Sequence, residues 1–320
     1  MSVGPAASPV EEGIGAPGVN ARPMIDLATT ASSAKISTVG AEPRSWEVAG
    51  HELLWSGAPD FWPQISPILF PVVGWTRNGR MRAKGETFPL GLHGFAAGEE
   101  FEITRQGADQ VGLRLADNAR TRALYPFAFE LCVEYRLSEK AFEAAFTVRN
   151  PGTEPLPYAL GLHPGFAWPL WEGRQEEHVL AFAGDVSPLV PVIAAGGLIS
   201  ERRRSVPLEG RILGLSPGLF ANEALCFLDA NSARLLYANG RGQAIEIANE
   251  DFPHIALWTR PSAPFLCIES WTGHGDPEGF EGDIFDKPSM RVLAAAGSAR
   301  HRVTYSLRTG LGDHRSQSLF

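Results

Sequence analysis

Apolar residues recur along this chain at every second position far more often than at every third or fourth. That spacing puts alternate side chains on one face of an extended strand. The stretch from Leu131 to Leu137 gathers Leu131, Val133, Tyr135 and Leu137 on one side. Phe101 to Thr104, Phe142 to Val148, Arg234 to Tyr237, Ala244 to Ala248 and Arg302 to Leu307 read in the same way. Turn formers separate such runs: Asn150-Pro151-Gly152, Asn239-Gly240 and Ala296-Gly297-Ser298. The chain has 34 Gly and 25 Pro, which suits many short strands joined by tight turns. The expected fold class is all-β, a large antiparallel β-sandwich. A doubly wound α/β sheet is excluded by the lack of alternating helical segments.

Three boundaries follow from composition. Residues 1–23 are rich in Gly, Pro and Ala and nearly free of large apolar side chains, so they are expected to be a disordered leader. The folded domain is expected over 24–310 and a short tail over 311–320, with no internal repeat and no second linker.

Charge and cysteine usage narrow the function classes. Lys and Arg number 28 against 36 Asp and Glu, a net charge of −8, and no long basic run offsets it. Nucleic acid is therefore not an expected partner. The one basic cluster, Arg202-Arg203-Arg204, reads as a solvated loop. The longest uncharged stretch near the middle, Val186 to Ser200, is too short to span a bilayer, and the N-terminus lacks signal-peptide order. Cys132, Cys226 and Cys267 are odd in number, scattered and set among apolar neighbours, as expected of reduced core residues in a cytoplasmic protein.

Three segments place titratable groups beside small residues and aromatic rings. They are Gly91-Leu92-His93-Gly94-Phe95, Gly161-Leu162-His163-Pro164-Gly165-Phe166-Ala167-Trp168-Pro169 and Cys267-Ile268-Glu269-Ser270-Trp271. A single histidine after a leucine is more often structural than catalytic. Glu269, in an apolar strand, needs partners if it is buried, and burial would raise its pKa. Two histidine bends together with such a carboxylate and nearby tryptophans are more specific than any one of them.

These segments carry a resemblance. With Leu53-Leu54-Trp55-Ser56-Gly57, Pro67-Ile68-Leu69-Phe70-Pro71-Val72-Val73-Gly74 and Gly282-Asp283-Ile284-Phe285, the chain resembles the aldose 1-epimerase (galactose mutarotase-like) family, in particular its shorter bacterial branch. The likeness runs from about Met24 to about Arg308. It implies a β-supersandwich that binds a pyranose monosaccharide and interconverts its α and β anomers without cofactor or metal. It also implies Glu269 as the base at the C1 hydroxyl, His163 as the acid at the ring oxygen, and His93 as a hydrogen-bond partner near that oxygen. A raised carboxylate pKa and a histidine titrating near neutrality suit those tasks.

Trp168 and Trp271 offer flat faces for the sugar's C–H side. Glu223 stands where relatives often carry an aspartate that meets sugar hydroxyls. Departures also stand out. Relatives often have arginine where this chain has Trp75 and Ala97, and proline where it has Ser270. Trp75 is then expected to touch the sugar, and Arg77, Arg80 or Arg82 to replace the missing cations. Alternatives on the same fold are a hexose-6-phosphate epimerase and a non-catalytic carbohydrate-binding protein. A two-histidine, one-carboxylate metal site has no support in local spacing. A monomer or homodimer is expected, with no membrane partner.

Overall fold

The computed structural model describes residues 23–311 apart from Asn231. The expected leader and tail thus fall outside the described residues, except for Pro23 and Leu311. The first strand, Met24–Ala28, pairs with Ser32–Ser37 and opens a four-stranded antiparallel sheet. Ala119–Leu124 is the α-helix among the described residues, and the other named elements are strands and short 3-10 turns.

A ten-stranded antiparallel sheet forms the back of the molecule. At its centre lie Gln243–Glu250, Ser298–Thr309, Ala141–Arg149 and Glu130–Leu137. The alternation read from the sequence holds here: Leu131, Val133, Tyr135 and Leu137 are all buried, as are Phe142, Phe146 and Val148. Tight turns fix the registers. At Asn239-Gly240 the Asn239 side-chain oxygen accepts from the Arg241 and Gln243 N–H groups, which closes the hairpin between Arg234–Ala238 and Gln243–Glu250. The edge strand Glu102–Gln106 departs from expectation. Its alternation suggests a half-buried strand, yet every residue in it is exposed, Ile103 at 42%. Among the described residues only one strand pairs with it, and a register shift between Ile103 and Arg105 turns it out of the core.

A six-stranded sheet packs on the back sheet. Its order is Leu225–Phe227, His254–Trp258, Phe265–Trp271, Gly161–Leu162 and Ile68–Leu69, with Gly165–Ala167 also paired to Phe265–Trp271. The inner face sends Leu225, Phe227, Ile255, Leu257, Leu266, Ile268 and Leu162 into the shared core. Phe166 meets Tyr237 and Tyr305 of the back sheet, with centroids 6.4 and 5.4 Å apart. Ser270 also points inward, and its hydroxyl donates to Asn249 Oδ1 at 2.8 Å. Ser270 therefore ties one sheet to the other. The outer face of this sheet is left to carry chemistry.

Candidate active site

Strand register alone predicts which side chains share the outer face, because directly opposed residues of an antiparallel pair project to the same side. Cys226 opposes Ala256, and Ala256 opposes Glu269. On the other flank, Gly161 opposes Trp271 and Leu162 opposes Ser270, so the next residue, His163, comes level with Glu269. The contact is made. His163 Nε2 lies 3.1 Å from Glu269 Oε1, and both groups are buried, Glu269 being 2% exposed. The second carboxyl oxygen, Oε2, accepts the Trp271 indole N–H at 2.9 Å. Oε2 thus has a hydrogen-bond donor, as a buried carboxyl requires, and Oε1 has the close His163 contact.

His93 arrives from a separate loop. Its backbone adopts φ +61°, and Gly94 follows at φ +74°. A side chain on Gly94 would collide with the Phe70 carbonyl, so only glycine lets this loop press against the sheet. The His93 N–H donates to the Gly74 carbonyl at 3.0 Å, and His93 Nδ1 accepts the Gly74 N–H at 3.1 Å. Nδ1 is therefore the bare nitrogen, and the ring's proton sits on Nε2. The His93 and His163 rings meet edge to face, centroids 5.6 Å apart. The structure thus brings together the three residues singled out in sequence.

Burial sets the electrostatics. It pushes the Glu269 carboxyl well above the usual carboxylate range, while the Trp271 hydrogen bond pulls the other way. His163 is held well below the usual histidine value, by burial first and by nearby His93 second. Its Nδ1 is buried without a hydrogen-bond partner, which further disfavours an imidazolium. His93 is lowered to about 3 by loss of hydration. The His163–Glu269 pair is neutral in total, and one proton decides its form. Carboxylate with imidazolium and carboxylic acid with imidazole differ only by that proton's place along a 3.1 Å contact. Burial favours the second arrangement, and the Trp271 N–H favours the first.

Several expected contacts lie elsewhere. Trp168 is in the core, not on the outer face: it is 1% exposed, its indole N–H donates to the Gln175 carbonyl at 3.0 Å, and Phe220 packs across it. Trp271 serves the carboxyl through its N–H. Arg77 is committed to Glu281 at 2.6 Å, and its backbone N–H donates to Asp276. With Arg80, Arg82 and Lys287 it lines a cavity of about 150 Å³ that none of His93, His163 and Glu269 borders. Trp75 follows the Gly74 that holds His93, is 37% exposed, and lays its ring on Gly197, where even one added carbon would clash with the indole. Ala97 sits half-buried in the short turn Ala96–Gly98. Glu223 is exposed, at φ +69°.

Three residues were missed in sequence. Trp62 lies across His163 with centroids 4.9 Å apart, and Trp258 meets the same ring at 5.8 Å. Trp258 was legible once Cys267 was known to oppose it, but Trp62, in a loop, gave no signal. The third is Arg204. It is not in a solvated loop: it belongs to the strand Leu198–Ser205 and is half-buried. Among the described residues no three His, Cys, Asp or Glu side chains are grouped as metal ligands, all three cysteines are free, and no helix is long and apolar enough to cross a membrane.

Comparison with known proteins places these features. A family model described as aldose 1-epimerase matches residues 23–273. A protein called LacX from Lactococcus lactis subsp. lactis is 34% identical over 254 residues, which are 75% of this chain and 84% of that protein. Among solved structures, a galactose mutarotase related enzyme from Lactobacillus acidophilus superposes with a TM-score of 0.83 at 28% identity, covering 91% of this chain and 99% of its own. A galactose mutarotase-like protein from Lactobacillus casei gives a TM-score of 0.84 at 26% identity, covering 89% and 100%.

Proposed function

The chain belongs to the aldose 1-epimerase family, and on that premise we propose that it interconverts the α and β anomers of a pyranose by acid–base ring opening. The observation that carries this reading is the 3.1 Å contact between His163 Nε2 and Glu269 Oε1 on the outer face of the six-stranded sheet. Mutarotation needs a base at the C1 hydroxyl and an acid at the ring oxygen, and both oxygens hang on the same carbon. The acid and the base must therefore themselves be neighbours.

Glu269, as carboxylate, takes the proton from the C1 hydroxyl. His163, as imidazolium, gives one from Nε2 to the ring oxygen. The C1–ring oxygen bond breaks and a C1 aldehyde forms. After these transfers Glu269 is a carboxylic acid and His163 a neutral imidazole. The pair's total charge has not changed, so no net charge is moved into a buried site. The burial that disfavours both ions also favours this open-chain proton arrangement. Rotation about C1–C2 turns the other face of the carbonyl to the hydroxyl that closes the ring. His163 then takes that proton and Glu269 returns its own to the carbonyl oxygen. His93, with its proton fixed on Nε2, is a hydrogen-bond donor toward the sugar and needs no change of charge.

Polarimetry on freshly dissolved α-glucose or α-galactose tests the reading. The chain should speed the approach to anomeric equilibrium in catalytic amounts and leave the final rotation unchanged. A rate equal to that of buffer for every aldose tried would remove the proposal.

A further inference from the structure

More than half of the described arginines meet a carboxylate, for example Arg44 with Glu42, Arg114 with Glu130 and Arg302 with Glu250. Arg204 does not: among the described residues no carboxylate oxygen is recorded within 4.0 Å of it. It is half-buried, and its Nε is buried without a hydrogen-bond partner. Leaving a cation in this state costs free energy, so its position calls for a reason.

Its place is specific. Arg204 Nη2 donates to the carbonyls of Glu223 at 3.1 Å and Ala224 at 3.2 Å. Ala224 leads into the strand Leu225–Phe227, the edge of the sheet that carries Glu269. Cys226, Ala256 and Glu269 stand in one row across three strands, with a small residue in the middle. Two strand spacings separate the ends of that row, about 10 Å. Leu69, Val73, Ala159, Cys226, Ala256 and Trp271 form a small apolar cluster on this face, and Ala224 packs against it. The Cys226 thiol senses both ends of the row: burial and the Glu269 charge raise it to about 12, and the Arg204 charge opposes them.

From this geometry, and resting on the mutarotase reading above, we infer that Arg204 is a substrate-binding residue that holds the hydroxyls of a neutral aldose on the side remote from its anomeric carbon. The apolar floor between Arg204 and Glu269 suits the C–H surface of the ring. The guanidinium also restricts the ligand. Bidentate capture of a carboxylate or phosphate uses two adjacent donor nitrogens as a fork. Nη2 already serves two carbonyls and Nε is buried, so only Nη1 remains. One nitrogen suits hydroxyl oxygens and forms no fork.

The test is steady-state mutarotation and calorimetric binding by wild type, Arg204→Ala and Arg204→Lys, with glucose, its 3-, 4- and 6-deoxy analogues and glucose 6-phosphate. Arg204→Lys keeps a donor for the loop carbonyls, and melting temperatures report whether each variant is folded. Losing a hydrogen bond to a charged donor should raise the KM of Arg204→Ala for glucose about 10- to 100-fold, with the loss falling on KM rather than kcat. One deoxy analogue should bind wild type more weakly than glucose does, yet bind Arg204→Ala no more weakly than glucose does. A folded Arg204→Ala with unchanged KM, or one weakened equally for every analogue, overturns the assignment. So does glucose 6-phosphate binding more tightly than glucose in wild type but not in Arg204→Ala. If wild type turns over no aldose, the mutarotase reading fails, and the calorimetric series still decides whether Arg204 reads a hydroxyl.

Discussion

Replacing Trp271 with phenylalanine isolates one hydrogen bond that holds the proposed base in its working form. The indole N–H reaches Glu269 Oε2 at 2.9 Å, and Phe keeps a ring of similar placement without the donor. The bond favours carboxylate over carboxylic acid against the burial that raises the Glu269 pKa. Hydrogen bonds to charged groups contribute about 1.5–3 kcal/mol, and each 1.36 kcal/mol is tenfold, so the acid form should gain about 10- to 100-fold over the carboxylate. Because Glu269 is 2% exposed, solvent screening does little to dilute this. The sign follows from the role. The working form, carboxylate with imidazolium, holds the same single proton as the resting form, carboxylic acid with imidazole, so pH does not choose between them; pH acts when the pair loses that proton, and the variant keeps it to higher pH. While the pair keeps its proton, Trp271→Phe should lose about 10- to 100-fold in kcat/KM, and the loss should fade at the high pH where the wild-type pair gives that proton up. Polarimetric rates from pH 4 to 9 would measure it. An unchanged kcat/KM at neutral pH in a folded variant, or a loss that deepens as pH rises, would refute the role given to the indole.

Other outcomes follow from the same geometry. Glu269→Gln and His163→Ala should each lower mutarotation by about 10²–10⁴-fold. Glu269→Gln should melt no lower than wild type, because the amide can serve both partners without a buried charge; near-wild-type rates in either variant remove that residue from the mechanism. Gly94→Ala forces a side chain against the Phe70 carbonyl at φ +74° and should lower stability by about 1–3 kcal/mol and activity with it; an unchanged urea midpoint would count against the tight loop. His93 is held at about 3 and His254 at about 4, while both titrate near 6.5 when unfolded. Between those values the unfolded chain binds protons that the folded chain does not. Stability should therefore fall as pH drops from 6.5 toward 4, by up to about 1.36 kcal/mol per pH unit for each group. Urea midpoints that match at pH 7 and pH 5 would contradict this.

The central strands were legible because burial on one face leaves a period of two in the residues themselves. Leu131 to Leu137 is the clearest case. The edge strand Glu102–Gln106 was misread because alternation does not reveal whether a second sheet covers the strand. His93, His163 and Glu269 could be singled out, since titratable groups among glycines and apolar residues are unusual. Their partners could not. Whether Trp168 or Trp271 faces the carboxyl depends on strand parity, and only the pairing of Gly161 with Trp271 fixes that. Arg77 looked available until Glu281, some two hundred residues on, was found to hold it. Arg204 looked solvated because three successive arginines hide the fact that alternate side chains of a strand face opposite ways.

The strand Phe265–Trp271 gives the molecule an unusual genetic texture. Leu266, Ile268 and Ser270 face the back sheet, whereas Cys267, Glu269 and Trp271 face the candidate active site, and Phe265 backs Trp62 beside His163. Two selective demands thus alternate residue by residue within one buried segment. Changes at even positions bear on whether the chain survives proteolysis and heat, and changes at odd positions on the chemistry of the proposed site. An inserted or deleted residue would exchange the two sets at once, so this segment can be remodelled by substitution but not by length.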